Sequence, residues 1–256
     1  MSLSVGIVGL PNVGKSTLFN TLLKRQIADT APYPFTTIKP HTGVVEVLDK
    51  KLEKLKEIAG GKNAKMVPAT VEFVDIAGLV ENAHQGEGLG NEFLGQIRNV
   101  DAIVHVIREF EDDSVPHVMG GVDAKRDKAI IELELEMAEI KKPMLEWVNR
   151  KKTDFEKVDE LIKRAYELLD LITFYTIKGG EEIRAWSLKK GSSVIEAAEK
   201  VHTDFAKNFI KVEVIGVDEL ITIGGWSKAR SAGKIRLEGR DYVVKNLDVV
   251  EFKVGR

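Results

Sequence analysis

Cysteine is absent from this 256-residue sequence, which rules out both disulfide bonds and thiolate metal sites. No apolar run approaches the length that spans a bilayer, and the apolar N-terminus is too short for a signal peptide. The net charge of −2 provides no global basic field that would attract nucleic acid. We therefore expect a cytoplasmic chain without membrane contact.

The remaining composition, 43% apolar and 30% charged, is ordinary for a globular protein, and the length allows about two domains. The first part of the chain alternates strand-like and helix-like stretches, a pattern typical of a mostly parallel α/β sheet. The expected strands are 5–9, 43–48, 71–75 and 102–107, and the expected helices are 16–24, 50–58 and 91–99.

The pattern changes twice further along. Residues 127–171 are helical in spacing and heavily charged, which favours a helical insertion broken near Pro143. From residue 172 onwards, short strand-like runs surround one helix that begins with the capping-box pattern Ser193-x-x-Glu196. The sequence thus predicts three segments: an α/β domain (1–126), a helical segment that retains a remnant of that domain (127–171), and a small β-rich domain (172–256).

The strongest motif is Gly-Leu-Pro-Asn-Val-Gly-Lys-Ser at 9–16, between a predicted strand and a predicted helix. It fits Gly-x4-Gly-Lys-[Ser/Thr], the phosphate-binding P-loop, in the context that this motif requires. Backbone N–H groups and the helix N-terminus would surround the phosphates, the lysine would add a charge, and the serine hydroxyl would bind Mg²⁺. The predicted nucleotide-binding residues here are Gly9, Asn12, Val13, Gly14, Lys15, Ser16 and Thr17.

A second motif, Asp-Ile-Ala-Gly at 75–78, closes the third predicted strand. Asp75 would hold Mg²⁺, and the N–H of Gly78 would contact the γ-phosphate. The next residue is Leu79, where switch GTPases of the Ras type carry a glutamine that orients the attacking water. If the chain hydrolyses a nucleotide, another group must therefore place the water.

The stretch Tyr-Pro-Phe-Thr-Thr-Ile-Lys-Pro at 33–40 lies between these motifs and is too rich in proline for a helix. Thr36 and Thr37 compete for the role of a threonine that reaches Mg²⁺ and orders the loop. His84 and His117 compete as histidines that could place water. Asn12 is a candidate ligand for a monovalent cation such as K⁺, or alternatively a turn residue.

These motifs together resemble the Obg-like ATPases, the YchF family. The match extends through Gly-Glu-Gly-Leu-Gly-Asn-Glu-Phe-Leu at 86–94 and Asp-Ala-Ile-Val-His-Val-Ile-Arg at 101–108. In the C-terminal part, Ile-Arg-Ala-Trp-Ser-Leu-Lys-Lys-Gly at 183–191, Val-His-Thr-Asp-Phe at 201–205 and Leu-Glu-Gly-Arg-Asp-Tyr-Val-Val at 237–244 resemble that family's TGS domain, a ubiquitin-like β-grasp.

The resemblance implies a G-domain-like fold, Mg²⁺-dependent hydrolysis of ATP or GTP at the γ-phosphate with ATP favoured, and association with the ribosome. By position it implies Ser16, Thr37 and Asp75 as metal ligands, with Lys15 and His117 as catalytic residues. His117 thereby moves ahead of His84. A hydrophobic residue at position 79 also fits this family.

One departure from the family concerns the base site. Family members are longer and carry Asn-x-x-Glu on a later strand, where GTPases carry Asn-Lys-x-Asp. Here Asn149 is followed by Arg-Lys-Lys, and Lys-Lys-Thr-Asp at 151–154 lacks the leading asparagine. Either the base site is missing from this chain, or backbone groups alone hold the base.

A second functional hypothesis is a nucleotide-gated module that binds the ribosome or its RNA through the C-terminal domain, with little hydrolysis of its own. Basic residues that would contact phosphates are Lys228, Arg230, Lys234, Arg236 and Arg240, although ordinary solvated charge explains them equally well.

Overall fold

A computed structural model describes residues 3–29, 41–59, 64–76, 78, 89–150 and 157–255. The strands are β1 Ser4–Val8, β2 Thr42–Glu46, β3 Lys65–Val67, β4 Thr70–Asp75, β5 Ala102–Arg108, β6 Met144–Asn149, β7 Leu171–Lys178, β8 Glu182–Lys189, β9 Phe209–Gly216, β10 Arg236–Glu238 and β11 Asp248–Val254. The helices are α1 Lys15–Asp29, α2 Lys50–Ala59, α3 Leu89–Arg98, α4 Ala124–Met137, α5 Val158–Leu168, α6 Val194–Val201, α7 Thr203–Lys207, α8 Val217–Ile223 and α9 Trp226–Ser231. None of these helices is long and apolar enough to cross a membrane.

The chain divides into two compact units, residues 1–46 with 71–169 and residues 47–70 with 170–256. The first, which we call the P-loop unit, contains a five-stranded sheet in the order β2-β4-β1-β5-β6. Strand β1 pairs in parallel with β4 and β5, and β5 pairs in parallel with β6. The central strands β1 and β5 are buried along their whole length, as expected of a parallel sheet covered on both faces.

The expected helical segment 127–171 contains a strand. Strand β6 separates α4 from α5 and adds to the parallel sheet beside β5, so the two helices are not a continuous insertion broken at Pro143. Burial alternates along β6, with Leu145, Trp147 and Asn149 on the buried face. That period of two indicates a strand, although the neighbouring charged helices obscure it.

The second, or C-terminal, unit contains a six-stranded sheet in the order β10-β9-β11-β7-β8-β3. Strands β7 and β8 pair as an antiparallel hairpin, and β11 pairs in parallel with β7. Helix α6 begins with the predicted capping box at Ser193 and Glu196. The single predicted helix is joined by the short helices α7, α8 and α9. The α/β fold class with a parallel P-loop sheet is confirmed.

Residues 47–70 belong to the C-terminal unit, whereas the sequence pattern places them in the first domain. Leu52 and Leu55 of α2 are buried in a core that contains Tyr175 and Leu220. Asp49 caps α2 by accepting from the N–H groups at 51 and 52, and its other carboxylate oxygen accepts from the Tyr175 hydroxyl at 2.8 Å. The local pattern predicts the helix but cannot indicate which core it joins.

Candidate nucleotide site

The P-loop connects the C-terminal end of β1 to the first turn of α1, as the motif predicts. Its backbone has positive φ at Gly9 (154°), Asn12 (63°) and Gly14 (102°), a conformation that few side chains tolerate. A Cβ at Gly9 would lie 2.5 Å from the carbonyl oxygen of Val106 on β5. The loop therefore requires glycine at position 9, and its concave backbone suits an anion.

Lys15 lies in this loop with its side chain buried, and its Nζ donates to the carbonyl oxygen of Leu10 at 2.8 Å. Burial lowers the pKa of Lys15 to about 8, while the negative charge of Asp75 acts in the opposite direction. A Cβ at Gly78 would lie 3.0 Å from Nζ, so the backbone of Gly78 is next to the lysine. The structure thus brings together Lys15, Asp75 and Gly78 from two motifs that are far apart in the sequence.

Oxygen atoms suited to a divalent cation lie at the same end of the sheet. Asp75 is the last residue of β4, and its Oδ1 is buried without a hydrogen-bond partner. Ser16, in the first turn of α1, is exposed. In the part of the chain that the structure describes, no group of three His, Cys, Asp or Glu side chains could hold a metal alone. An orphaned carboxylate oxygen and a hydroxyl fit Mg²⁺, which usually takes its other ligands from phosphates and water.

Other predicted residues have a more ordinary environment. Val13 is buried, Thr17 is exposed, and the amide nitrogen of Asn12 donates to the carbonyl oxygen of Pro116 at 3.2 Å. The left-handed backbone of Asn12 agrees with the alternative of a turn residue, and its role as a K⁺ ligand stays a prediction. Thr36, Thr37, Leu79 and His84 lie outside the described residues.

His117 has a buried side chain that faces α4. Its Nδ1 accepts from the N–H of Met119 at 3.2 Å, and its Nε2 lies 2.8 Å from Oδ2 of Asp127, a close contact that is not aligned as a hydrogen bond. Asp127 is itself buried and also accepts from Arg126. This environment favours a structural role, and the catalytic role of His117 stays a prediction.

Arg108, the last residue of β5 and of the family-like stretch 101–108, contacts the P-loop, which no sequence motif predicts. Its side chain is only 1% exposed, and it donates to the carbonyl oxygens of Asn12 (3.3 Å), Phe110 (2.8 Å) and Val115 (2.9 Å). Its Nη2 has no partner, and no carboxylate pairs with it among the described residues. Three carbonyl oxygens and the Phe110 ring, whose centroid lies 4.8 Å from the guanidinium carbon, stabilise this buried charge in place of a carboxylate.

Asn149 is a second P-loop contact that the sequence does not predict, although its segment resembles a base-reading strand. Its amide nitrogen donates to the carbonyl oxygen of Val13 at 2.8 Å, and its Oδ1 accepts from the indole nitrogen of Trp147 at 3.0 Å. A Cβ at Gly14 would lie 2.9 Å from the same amide nitrogen. The end of β6 is therefore fitted to the P-loop backbone.

In the C-terminal unit, most of the predicted basic residues are partly neutralised. Arg230 pairs with Glu213, Lys234 lies 3.7 Å from Glu219, and Arg236 donates to Glu238 at 2.9 Å. The guanidinium of Arg240 instead donates to the carbonyl oxygen of Phe209 and lies over that ring. This pairing favours ordinary solvated charge over a dedicated phosphate-binding patch.

Comparison with protein families gives two matches. Residues 4–150 match the family described as "50S ribosome-binding GTPase". Residues 171–255 match the C-terminal family of YchF GTPases, described as "Protein of unknown function".

Two curated relatives are similar along nearly the whole chain. The "Ribosome-binding ATPase YchF" of Bacillus subtilis (strain 168) is 34% identical over 367 aligned positions, covering 99% of each chain. The protein of the same name from Escherichia coli O157:H7 is 33% identical over 363 positions, covering 98% of this chain and 99% of the relative. Since both alignments are longer than 256 positions, part of each relative has no counterpart here.

A solved structure is similar too. The YchF GTPase of Schizosaccharomyces pombe superposes with a TM-score of 0.82 at 27% identity, covering 98% of each chain. Sequence and structure therefore agree on the same group of proteins, across both compact units.

Proposed function

This chain belongs to the YchF family, and from that premise we propose that it is a ribosome-associated P-loop NTPase that binds ATP with Mg²⁺ and hydrolyses it slowly. The observation that carries this proposal is the juxtaposition of Lys15 and Gly78 at the P-loop, beside a strand-end carboxylate with an orphaned oxygen. The proposed reaction is attack of water on the γ-phosphate.

Each residue of the site has a distinct part in this reaction. The P-loop backbone binds the phosphates, and Lys15 adds positive charge against the negative charge that develops on them. Ser16 and Asp75, with Thr37, would hold Mg²⁺, which neutralises phosphate charge when bound. The N–H of Gly78 is next to Lys15 and suits contact with the terminal phosphate.

The residue after Gly78 is the reason to expect slow hydrolysis. Leu79 has no side-chain hydrogen-bonding group, so it cannot orient water as a glutamine does. His117 is a proposed substitute that would have to leave the buried contact with Asp127. The proposed preference for ATP over GTP rests on the family alone. Asn149 is followed by Arg-Lys-Lys, so the glutamate or aspartate that completes either base-reading motif is missing at that spacing.

We further propose that the protein acts in the cytoplasm and that the C-terminal unit contributes to ribosome binding. The names of the curated relatives support the partner, although Arg230 and Lys234 of the C-terminal unit are paired with carboxylates. Co-sedimentation with ribosomes at increasing salt would test this. Binding that survives Lys15→Ala favours a module independent of nucleotide, and binding lost in that variant favours a nucleotide-dependent switch.

The decisive test of the enzyme proposal is calorimetric titration of ATP, GTP and ADP in the presence of Mg²⁺. We expect ATP to bind more tightly than GTP, and Lys15→Ala to abolish measurable binding because it removes the buried charge at the P-loop. Lys163→Ala is the matched control, since Lys163 is exposed on α5 of the same unit. Equal binding by wild-type protein and Lys15→Ala would contradict the proposal.

A further inference from the structure

The end of β6 contains two side chains that are hydrogen-bonded to each other, Trp147 and Asn149. Trp147 and Asn149 are two residues apart on one strand, so their side chains share a face. The indole Nε1 of Trp147 donates to Oδ1 of Asn149 at 3.0 Å. Both side chains are buried, with 7% of Trp147 and 1% of Asn149 exposed.

The second half of the asparagine amide contacts the P-loop. Its Nδ2 donates to the carbonyl oxygen of Val13 at 2.8 Å, and it lies so close to Gly14 that a Cβ there would approach within 2.9 Å. The amide therefore bridges β6 and the loop that precedes Lys15. A shift of this amide would be transmitted directly to the phosphate-binding backbone.

The chemistry of the two side chains fixes the direction of this bridge. A primary amide has an acceptor oxygen and a donor nitrogen of nearly equal size, and either can occupy a given position. An indole N–H can only donate a hydrogen bond. Trp147 is therefore satisfied only when the Asn149 amide presents its Oδ1 to the indole. If the amide turned by 180°, its Nδ2 would face the indole N–H of Trp147, donor against donor. Its Oδ1 would face the carbonyl oxygen of Val13, acceptor against acceptor.

We propose that Trp147 is a positioning residue for nucleotide binding: its indole N–H fixes the Asn149 amide in the orientation that holds the P-loop. This inference rests on the proposed function, because it concerns the same phosphate site. The alternative is that Trp147 only fills space in the core, in which case its ring matters and its N–H does not.

Trp147→Phe separates these alternatives because it keeps an aromatic ring and removes the N–H. The buried Oδ1 of Asn149 then lacks its donor, and the amide no longer has a preferred orientation. We expect binding of ATP, ADP and GTP to weaken by about tenfold, by the same factor for each, because the P-loop contacts the phosphates they share.

The C-terminal unit offers a matched control. Trp186 also donates through its indole nitrogen, to the Thr176 hydroxyl at 2.9 Å. Trp186→Phe removes the same chemical group far along the sequence from any P-loop contact, and nucleotide affinity should stay unchanged. Equal affinity of Trp147→Phe, Trp186→Phe and the wild type would overturn the inference while leaving the proposed function intact.

A double-mutant cycle tests whether Trp147 acts through Asn149. If it does, Trp147→Phe combined with Asn149→Ala binds nucleotide no more weakly than Asn149→Ala alone. Independent, additive losses in the cycle would indicate a packing effect and contradict the positioning role.

Indole N–H resonances in the wild-type protein give a readout that does not depend on a variant folding. The sequence has three tryptophans, and Trp147 is the one in the P-loop unit. Adding ATP with Mg²⁺ should shift the Trp147 resonance more than those of Trp186 and Trp226. Nucleotide binding without that shift would overturn the inference alone, whereas no nucleotide binding at all would overturn both it and the proposed function.

Discussion

The two compact units differ in how many polar and charged side chains they bury. The P-loop unit buries charged and hydrogen-bonding side chains, including Lys15, His105, Arg108, His117, Asp127, Glu134 and Asn149. In the described part of the C-terminal unit, the buried polar residues are Ser187, Ser192 and Asp248. Since burying charge costs free energy unless it is well compensated, we expect the stability of the P-loop unit to depend more strongly on the partners of individual buried side chains.

The units also differ in how completely these groups are satisfied. In the P-loop unit, the buried side-chain atoms without hydrogen-bond partners include Oδ1 of Asp75, Nη2 of Arg108 and Nδ1 of His105. In the C-terminal unit, Oδ2 of Asp248 accepts from the Tyr242 hydroxyl at 2.7 Å and from the N–H of Lys245 at 2.9 Å. Among the described residues of that unit, the indole nitrogen of Trp226 is buried without a hydrogen-bond partner. Asp75 and Arg108 lie beside the P-loop, and a bound ligand could complete the hydrogen bonding of their unsatisfied atoms.

The largest effect should come from Arg108→Met. This change leaves three carbonyl oxygens without their charged donor, including that of Asn12 in the P-loop. We expect the free energy of unfolding to fall by about 3–5 kcal/mol, because each partly buried carbonyl left without a donor costs about 1–3 kcal/mol. Denaturant unfolding, together with hydrogen exchange of β1 and β5 amides, would measure it.

Arg184→Met is the control for that experiment. The guanidinium of Arg184 lies 3.9 Å from the Trp186 ring centroid in the C-terminal unit, a contact worth about 1 kcal/mol at most when exposed. Similar losses in the two variants would contradict the contrast between the units.

A somewhat smaller effect is expected at the His117–Asp127 pair. His117→Ala removes the acceptor of the Met119 N–H and leaves a space beside the buried Asp127 carboxylate, so we expect about 2–3 kcal/mol of destabilisation. Parallel measurements of unfolding and of single-turnover ATP hydrolysis separate the two roles. A fall in stability with hydrolysis retained indicates a structural histidine, whereas a fall in hydrolysis at unchanged stability would support the catalytic prediction.

A third prediction concerns pH. Burial lowers the pKa of Lys15 from 10.5 to about 8 in the free protein, and a bound phosphate would favour the charged form and raise that pKa again. Nucleotide binding should therefore take up a proton, and Kd should rise about tenfold, or about 1.4 kcal/mol, between pH 7 and pH 9. Calorimetry in two buffers of different ionisation enthalpy measures the proton uptake.

The free energy of unfolding of the free protein should rise with pH, whereas nucleotide binding weakens. Below pH 8 the folded state carries the full cost of a buried charged lysine, and between pH 8 and 10.5 the unfolded state binds more protons than the folded state. The contribution of Lys15 to stability thus increases as pH rises through this window. A Kd that stays constant between pH 7 and pH 9 would show that Lys15 stays charged in the free protein.

The two units also show what sequence could predict. The P-loop and the strand-end Asp75 were predictable because each motif is local: glycines at fixed spacing and a carboxylate directly after an apolar run. The capping box at Ser193 and Glu196 is local in the same sense, and the structure confirms it.

The residues that escaped prediction depend on long-range geometry. Asn149 contacts Val13 because β6 lies two strands from β1 in the sheet, and no local pattern encodes that order. Arg108 resembles an ordinary strand-end charge until its carbonyl partners are known. Likewise, Leu52 and Leu55 predict that α2 is amphipathic, but they do not indicate which of the two cores its apolar face joins.

The smallest effect should come from surface ion pairs of the C-terminal unit. Lys51 and Asp218 lie 2.5 Å apart, with side chains 33% and 75% exposed. Water and salt screen such a pair, and holding two flexible side chains costs entropy, so Lys51→Ala should change the free energy of unfolding by less than about 1 kcal/mol. Urea unfolding at low and high salt is the measurement. A loss of several kcal/mol that disappears in high salt would mean that the C-terminal unit also depends on individual charges, and the contrast with the P-loop unit would then be one of degree only.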